Sequence, residues 1–413
     1  MRAFTRGHNV NTERIGRRIA YWRERRGFTQ ADFGRLMGQA RRWVQDLEGG
    51  QRQQDPRLSV LMRAAEVLRV PLEQLLTDTP SATPAPDRPP VEAEAVIDVL
   101  YREASEDDQP LALNALERRL TYCCEAFQAC HFAALGRDLP ALIVGSGRAA
   151  AQAGPEARAT HVLHSRVLQL TTSFLHKYGQ ATAVPAAVVA DRALAAAERA
   201  GDPVAIGAAS RRVAKSLANQ QQPRAAVDFA IGSARRLHDD LAAAGPLGLS
   251  TLGMLYLSAA ISASAMERTT AGVRGAIEHV DQAAEVADQQ GADMNADWTN
   301  FGPTNVGLHR IDVLARFEDG WSALEAADSM DGAAVQGLKH ERRAGHLITM
   351  ARAQLLTRKK EDAAASLTEA ARLAPEEFKG RPSTVDLVKD VVGATAVPSA
   401  ELRALAARCG LQA

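Results

Sequence analysis

Aromatic residues are scarce in this sequence. They make up 5% of the 413 residues, whereas hydrophobic residues of all kinds make up 46%. A core must therefore be filled mainly by Ala, Leu and Val, which favours closely packed helices over aromatic-rich sheets. The sequence also lacks any run of alternating β-branched residues long enough to indicate a strand. We therefore expect an all-α protein.

Cysteine is scarce as well. The four cysteines are too few and too unevenly placed for a disulfide scaffold, so we expect reduced thiols in a cytoplasmic protein. Cys123, Cys124 and Cys130 lie close to His131, a combination that raises the possibility of zinc. The chain has no CxxC pair, however, and in a helix Cys124 and His131 point about 100° away from the other two. We expect core thiols, with no metal and no cofactor.

Long apolar runs are nearly absent. Residues 1–26 are rich in Arg and contain no such run, so we expect no secretory signal. Residues 241–266 carry no charge and are numerous enough to span a bilayer. They include Pro246 and three glycines, and their apolar side chains are mostly small. A buried helix is therefore the favoured interpretation over a membrane span.

Charge is balanced over the whole chain but not along it. Residues 1–78 contain 15 arginines against 9 acidic residues, so the remainder carries a compensating negative charge. A proline-rich segment separates the two regions: residues 79–90 contain five prolines, which predicts a semi-rigid linker. We therefore expect a basic module at 12–78, the linker at 79–90 and a helical domain at 91–413. A basic module on an acidic body indicates a nucleic-acid partner.

The spacing of small and apolar residues in the basic module is typical of a helix-turn-helix. Ile15, Ile19 and Trp22 form the apolar stripe of a first helix, and we expect Thr29 to cap a second helix that begins at Gln30. Counted from Gln30 as position one, the residues at positions five, nine, fifteen and eighteen are Gly34, Gly38, Val44 and Leu47. A small residue at five lets two helices cross closely, and a glycine at nine permits the tight turn.

The module, including GFTQADFGRLMG at residues 27–38, resembles the lambda-repressor-like (XRE) DNA-binding domain. The resemblance implies an ion pair between Arg23 and Glu48, and it implies that Gln30 caps the second helix and touches the DNA backbone. It also places four residues of the third helix at base-reading positions, namely Arg41, Arg42, Gln45 and Asp46. Two features depart from the family. Ala40 replaces the usual Ser or Thr before the third helix, and the loop at residues 49–55 is slightly longer.

Elementary chemistry independently supports DNA binding by this module. Two arginines at the start of a helix can present forked donors to guanine O6 and N7 in the major groove. Other arginines of the module could pair with phosphates, and we expect this of Arg17, Arg18, Arg52 and Arg57. The alternative is that all these arginines form only a solvated basic face.

Small and apolar residues recur in residues 91–413 in a pattern that resembles the tetratricopeptide repeat. The clearest unit runs from Leu347 to Pro375, and similar units lie near Val213 and Ile311. The resemblance implies an α-solenoid with a concave face. It places on that face Arg211, Lys215, Asn219, Asn305, Asp312, Arg316 and Arg352. These groups could hold a peptide or an anionic small molecule, or they could pair internally, as Asp312 and Arg316 are spaced to do.

The order of the two domains is similar to that of actinobacterial XRE–TPR transcription regulators and of peptide-pheromone-sensing bacterial regulators. This resemblance implies a homodimer that binds a double-stranded DNA operator and senses a peptide or small-molecule signal. An alternative is an interaction scaffold whose repeats bind a protein partner, with the helix-turn-helix used for dimerisation or weak DNA tethering. The sequence contains no nucleophile elbow, HExxH motif or phosphate-binding loop, so we do not expect an enzyme.

Overall fold

The structure is a computed structural model that describes residues 15–49, 56–70, 72–76, 89–101, 112–154, 157–378, 381–395 and 397–411. Within these ranges the regular elements are helices, and the one β-type feature is a single bridge between Met294 and Phe301. The described part of the chain is therefore all-α, as its composition predicts. Most of the proline-rich segment at 79–90 lies outside the described residues.

Five helices form an N-terminal bundle. They are α1 (Ile15–Arg25), α2 (Gln30–Met37), α3 (Arg41–Glu48), α4 (Leu58–Leu68) and α5 (Glu73–Leu76). Their apolar faces share one core, in which Ile19, Phe33, Val44 and Leu68 are fully buried. A Cβ on Gly34 would lie only 2.7 Å from the carbonyl oxygen of Gln39, which explains the need for glycine there. Gly38 ends α2 at a φ of 68°, a conformation that favours glycine.

The remaining helices form a helical body. It begins with α6 (Val91–Leu100), α7 (Leu113–Gln128) and α8 (Phe132–Ala151). Consecutive helix pairs follow: α9 (Ala157–Leu175) with α10 (Ala183–Ala200), α11 (Pro203–Asn219) with α12 (Pro223–Ala243), α13 (Gly245–Ala263) with α14 (Thr270–Gln290), α15 (Pro303–Arg316) with α16 (Gly320–Asp328), the short α17 (Gly332–Gly337), α18 (His340–Leu356) with α19 (Lys360–Leu373), and α20 (Pro382–Ala394) with α21 (Ala400–Arg408).

Small side chains allow the paired helices to approach closely. Ala214 of α11, Ala230 of α12 and Ala259 of α13 are fully buried against one another. Ala363 and Ala370 of α19 are likewise fully buried, in the core that α19 shares with α18. This arrangement is consistent with the helix pairs that the repeat pattern implies, and the tetratricopeptide assignment itself stays a prediction.

The body closes on itself. The helices α9, α11, α13, α15 and α18 pack in succession, and α7 contacts both α9 and α18, so the two ends of this inner row meet. Gln128 and Asn295 exchange two hydrogen bonds of 2.9 Å across the junction. The Nζ atom of Lys177 lies 2.7 Å from a carboxylate oxygen of Glu341 and 2.8 Å from one of Glu377. The closed row surrounds a central cavity.

By length and composition alone, α13 is apolar enough to cross a membrane, the single described helix of which this is true. In the structure, however, 67% of its most apolar window is buried inside the body. It packs against α11, α12 and α14, and the ring of Phe301 fills the space beside Gly253. This burial supports the expectation of a core helix at residues 241–266.

Candidate nucleic-acid interface and central cavity

The first half of α3 faces solvent. Arg41, Arg42 and Gln45 are exposed, whereas Val44 and Leu47 on the other side of the helix are buried in the core of the bundle. Asp46, the fourth residue expected at a base-reading position, is half-buried. Among the described residues, no carboxylate pairs with either arginine of α3. Both guanidinium groups are therefore free to reach a base edge or a phosphate.

The beginning of α3 is also open. Ala40 occupies the N-cap in an extended conformation and provides no side-chain hydrogen bond. The N-cap side chain therefore offers no acceptor to the N–H groups of the first turn, and a phosphate oxygen is a good partner for such groups. By contrast, α2 is capped by Thr29, which forms a reciprocal capping box with Asp32. The departure at Ala40 thus leaves room for an anion exactly where α3 begins.

A buried ion pair fixes the orientation of α3. Arg23 Nε lies 2.5 Å from Glu48 Oε1, and Arg23 Nη2 lies 3.0 Å from Glu48 Oε2. The two side chains are only 5% and 7% exposed. Arg23 also donates to the carbonyl oxygen of Phe28 at 2.9 Å. The network therefore joins α1 to the end of α3 and to the turn before α2.

Gln30 has a different role from the one that the family resemblance implies. Thr29, and not Gln30, caps α2. The amide Nε2 of Gln30 instead donates to Glu48 Oε2 at 3.0 Å, which adds α2 to the buried network. The carboxylate of Glu48 can accept from both side chains because its two oxygens offer more lone pairs than Arg23 uses. A backbone contact to DNA by Gln30 stays a prediction.

The arginines expected at phosphates divide into two kinds. Arg17 and Arg57 are exposed, as a phosphate contact requires. Arg18 is turned back onto the bundle, where its guanidinium donates to the carbonyl oxygens of Leu75 at 2.7 Å and Leu76 at 3.3 Å. It therefore caps the end of α5, because the last carbonyls of a helix lack intrahelical partners. Arg52 lies outside the described residues.

The bundle is docked on the helical body through the end of α1. Arg25 lies 2.7 Å and Arg26 lies 3.4 Å from the carboxylate of Asp390 in α20. Arg26 also donates to the carbonyl oxygen of Leu68 at 2.8 Å, so it ties α1, α4 and α20 together. The guanidinium of Arg25 also lies 5.5 Å from the ring centre of Trp22. The face of α3 that bears Arg41, Arg42 and Gln45 stays exposed while this contact is made.

Nothing in the sequence marks the docking contact. Asp390 is 364 residues away from Arg26, and a single acidic residue on a helix carries no signature of a distant partner. In the sequence, Arg25 and Arg26 contribute only to the overall basic balance of the module. The structure gives them a structural role, since Arg26 is 6% exposed.

The cavity at the centre of the body has a volume of about 1300 Å³. Its walls come from α7, α9, α11, α13, α15 and α18, and from the start of α20. Its basic residues are Arg158, Arg166, Lys177, Arg211, Arg212, Lys215, Arg316, Arg342, Arg352 and Arg381, and its acidic residues are Glu117, Asp202, Asp297, Asp312, Glu341 and Asp386. Positive charge is therefore in excess.

Six of the seven residues expected on a concave face line this cavity. They are Arg211, Lys215, Asn219, Asp312, Arg316 and Arg352. The exception is Asn305, which is fully buried behind the wall, so its expected position on the surface is corrected. Its Nδ2 lies 3.5 Å from the carbonyl oxygen of Thr299, so it holds the loop before α15. The degenerate repeat frame places this residue on the wrong side of the first turn of α15.

Some of these residues also pair internally, the alternative that the spacing allows. Arg316 Nε lies 2.9 Å from Asp312, and Arg352 lies 4.0 Å from the same carboxylate. Burial acts to raise the pKa of Asp312, but the charges of Arg316 and Arg352 outweigh it and hold that pKa below its ordinary value. One carboxylate thus faces two guanidinium groups, so this part of the wall is only partly neutralised.

Other cavity residues were not expected from the sequence. Arg166, Lys177, Arg212 and Arg342 all line the cavity. Arg166 and Lys177 lie in α9 and in the turn that follows it, outside the units in which the sequence shows the repeat pattern. Arg212 could have been predicted at the cavity from the sequence, because it directly follows Arg211 in a helix whose inner face also bears a lysine one turn later.

The cysteines behave as core thiols. Cys123, Cys124 and Cys130 are buried and unbridged. Burial raises the pKa of Cys123 to about 11 and that of Cys124 to about 12, so both stay protonated near neutral pH. His131 is exposed. In the described part of the chain, no group of His, Cys, Asp and Glu side chains is arranged to hold a metal ion.

Comparison with known proteins identifies the N-terminal bundle. Residues 19–75 match the family described as Helix-turn-helix. This part of the chain is thus an XRE-type helix-turn-helix domain, which suggests a DNA-binding regulator. The match does not extend into the helical body, and no family match identifies its repeats. The chain has no detectable relative among the curated proteins.

Proposed function

We propose that this protein is a sequence-specific transcription regulator whose helical body senses a peptide or small-molecule signal. One observation carries the proposal: Arg41 and Arg42 stay exposed at the start of α3 while the same bundle is docked on a body with a large charged cavity. One chain thus combines a surface suited to base edges with a cavity suited to a ligand. We expect it to act in the cytoplasm and assign it no catalytic role.

In this proposal α3 enters the major groove of double-stranded DNA. The planar guanidinium groups of Arg41 and Arg42 suit the O6 and N7 acceptors of guanine, and the amide of Gln45, one turn later, suits adenine. Arg17 and Arg57 are exposed and would position the domain on phosphates. The buried pair of Arg23 and Glu48 holds α3 at a fixed angle while it reads.

Two helices connect the cavity to the DNA-binding domain. The first turn of α20 lines the cavity at Ser383 and Asp386, and the same helix continues to Asp390, which holds α1. The helix α18 lines the cavity with Arg342 and Arg352 and also contacts α1. A ligand that shifts either helix would therefore move the reading domain, so binding changes the population competent for DNA.

The closed form of the body favours a small signal over a protein partner. The ends of the inner row are joined by Lys177 with Glu341, and α7 is tied to the segment before α15 by Gln128 with Asn295. A scaffold that bound an extended protein segment would have to break these contacts. The volume of about 1300 Å³ slightly exceeds that of common small-molecule sites, which is enough for an organic molecule or a short peptide with water.

We further expect two copies of the chain on each operator. Helix-turn-helix dimers read half-sites separated by roughly one helical turn, about 34 Å. The selected DNA should therefore contain two related half-sites at this spacing. Light scattering of the complex should give two chains per duplex, and one chain per duplex would contradict the dimer.

The test of the function starts with selection of duplexes from a random pool by the full chain. Fluorescence anisotropy then compares wild type with the double variant Arg41→Ala and Arg42→Ala on the selected site. Because each bidentate contact contributes about 1–3 kcal/mol, we expect the variant to lose about 100-fold or more in affinity.

The matched control removes two other exposed arginines, Arg63 and Arg372, each of which pairs with a glutamate of its own helix. Its affinity should equal that of wild type. Equal binding by wild type and by the α3 variant, or enrichment of no sequence at all, would defeat the proposal.

A further inference from the structure

The inner face of α11 carries a concentration of positive charge. Arg211, Arg212 and Lys215 all line the cavity. Arg342 of α18 is close enough to Arg211 and Arg212 to repel both. Among the described residues, none of the three cations of α11 forms an ion pair with a carboxylate. Four like charges thus converge on one part of the cavity.

The carboxylates around the cavity are already engaged elsewhere. Asp297 lies 3.0 Å from Arg166, and Asp312 lies 2.9 Å from Arg316. Glu341 lies 2.7 Å from Lys177, and it is 3.7 Å from Arg342. Burial acts to raise the pKa of Glu341, but the charge of Lys177 outweighs it and keeps the carboxylate ionised. These acids pair directly with other cations. They attract the cations of α11 from a distance, and none of the three forms an ion pair with them.

Two donors of the cluster also lack an acceptor. The Nε atoms of Arg212 and Arg342 are buried and have no hydrogen-bond partner in the part of the chain that the structure describes. Arg212 donates through Nη1 to the carbonyl oxygen of Ala208 in its own helix at 3.0 Å. Burial and the neighbouring guanidinium groups lower the pKa of Arg211, and burial lowers that of Lys215 to about 8. Buried cationic donors without partners are costly, and an anion would satisfy them.

An apolar wall adjoins the cations. The helix α13, which packs against α11, lines the cavity with Met254, Leu257 and Ile261. Leu170 of α9 extends the same wall. A ligand that fills this part of the cavity therefore meets cationic donors at one end and hydrocarbon at the other. A purely ionic ligand would leave the apolar wall in contact with water.

We propose that Arg211, Arg212, Lys215 and Arg342 form the subsite for the oxyanion head of an amphipathic ligand, a carboxylate or a phosphate monoester, whose apolar part lies against α13. The inference rests on the proposed function only in taking the cavity as the place where a signal binds. Guanidinium groups suit this role because their donors match the two oxygens of a carboxylate or phosphate.

Calorimetric titration of the full chain tests the class of ligand. The probes are octanoate, octyl phosphate, inorganic phosphate and uncharged octanol. We expect at least one of the two charged amphiphiles to bind about tenfold or more tightly than both octanol and inorganic phosphate, and the tighter of the two identifies the head group. The assignment would be overturned if octanol bound as tightly as the charged amphiphiles, or if neither charged amphiphile bound at millimolar concentration.

A double variant tests the subsite itself. Arg211→Gln with Lys215→Gln should weaken the better anionic probe about tenfold or more and leave octanol binding unchanged. The melting temperature of the unliganded variant should not fall, since the change removes unpaired buried charge, and this separates a lost subsite from a damaged fold. The control, Lys339→Gln with Arg372→Gln, removes the same charge from the exposed surface. A subsite variant that binds the anion as wild type does would refute the proposal.

The same titrations separate this inference from the proposed function. If the anion binds at the subsite but leaves the affinity for the selected DNA unchanged, the subsite stands and signal sensing through the cavity fails. If the chain binds DNA selectively but neither charged amphiphile binds, the regulator stands and the subsite fails.

Discussion

The N-terminal bundle and the helical body both place arginines away from the outer surface, but these arginines have different partners in the two regions. In the bundle, the buried Arg23 is held by Glu48, and the buried Arg26 is held by backbone carbonyls and Asp390. In the body, the half-buried Arg211 and Arg212 line a cavity without a carboxylate partner among the described residues. The arginines of the bundle therefore stabilise the fold, whereas those of the cavity are the ones that we propose for a ligand.

A second difference concerns the exposed charge. On α3 the arginines are exposed and, within the described residues, pair with no carboxylate, and the N-cap side chain before them, Ala40, forms no hydrogen bond. On α19 of the body, by contrast, the exposed Arg372 pairs with Glu369 one turn away. The two arginines of α3 are therefore available to an external partner, whereas Arg372 is held by its own helix. The predictions below test this contrast, starting with the largest effect.

The largest effect should follow the loss of a partner in the bundle. Glu48→Ala leaves Arg23 buried without its main partner, so we expect the free energy of unfolding to fall by about 3 kcal/mol. Urea denaturation followed by circular dichroism measures this change. Glu24 pairs with the same arginine at 3.0 Å but is 62% exposed, so Glu24→Ala should cost less than about 0.5 kcal/mol. Similar losses in the two variants would contradict a buried structural pair.

The next effect should appear at the contact between the two regions. Asp390→Asn removes the charge that holds Arg25 and Arg26. We expect amide hydrogen exchange near the end of α1 and in α20 to speed up about tenfold, since local opening becomes easier. Glu369→Gln, which alters an exposed pair in α19, serves as the control. Unchanged exchange in the Asp390 variant would show that the contact does not hold the bundle.

A smaller effect, on the salt dependence of DNA binding, should distinguish an exposed arginine of the bundle from one that is hydrogen-bonded within it. Arg17→Ala should reduce the slope of log affinity for DNA against log salt by about 0.9, the value for one lost phosphate contact. Arg18→Ala should leave this slope unchanged and lower stability, because Arg18 is bound to the carbonyls of Leu75 and Leu76. If Arg18→Ala changed the slope and Arg17→Ala did not, the assignment of the two residues would be reversed.

The smallest effect concerns the pH dependence of stability in the body. Burial, followed by the charge of Arg316, lowers the pKa of Lys215 from 10.5 to about 8. Between these values the unfolded chain binds more protons than the folded one, so the contribution of Lys215 to stability rises with pH over this window. The other charged groups that act on it are Asp312, Arg381 and Lys177.

Lys215→Met provides the measurement. The stability of wild type relative to this variant should increase between about pH 8 and pH 10 in urea titrations. A difference that stays constant across this range would mean that Lys215 titrates normally and is well solvated.

The sequence predicts much of the structure of the bundle and less of the structure of the body. The positions of Gly34, Gly38 and Val44 are dictated by local sterics and by a short apolar pattern, so spacing alone predicts α2, the turn and α3. The pairing of Arg23 with Glu48 follows from the family resemblance. The contacts of Gln30 and Arg18 could not be predicted in this way, because each residue makes a tertiary contact that no local pattern encodes.

In the body, the small residues at helix interfaces predict the helix pairs but not their closure. Closure depends on Lys177 and Glu341, which are far apart in sequence and lie at the ends of helices. The cavity residues were found where the repeat frame is regular, as for Arg211 and Lys215. They were missed or misplaced where it is not, as for Asn305, whose side of α15 depends on the loop before the helix.

Methylation interference tests the central claim, that Arg41 and Arg42 read guanine in the major groove, most directly. Guanines of the selected duplex are methylated at N7, and the bound and free fractions are compared for wild type and for the double alanine variant. We predict that methylation at one or two guanines per half-site blocks wild-type binding, and that the variant is indifferent at these same positions. Identical interference patterns for the two proteins, or none for wild type, would contradict the account.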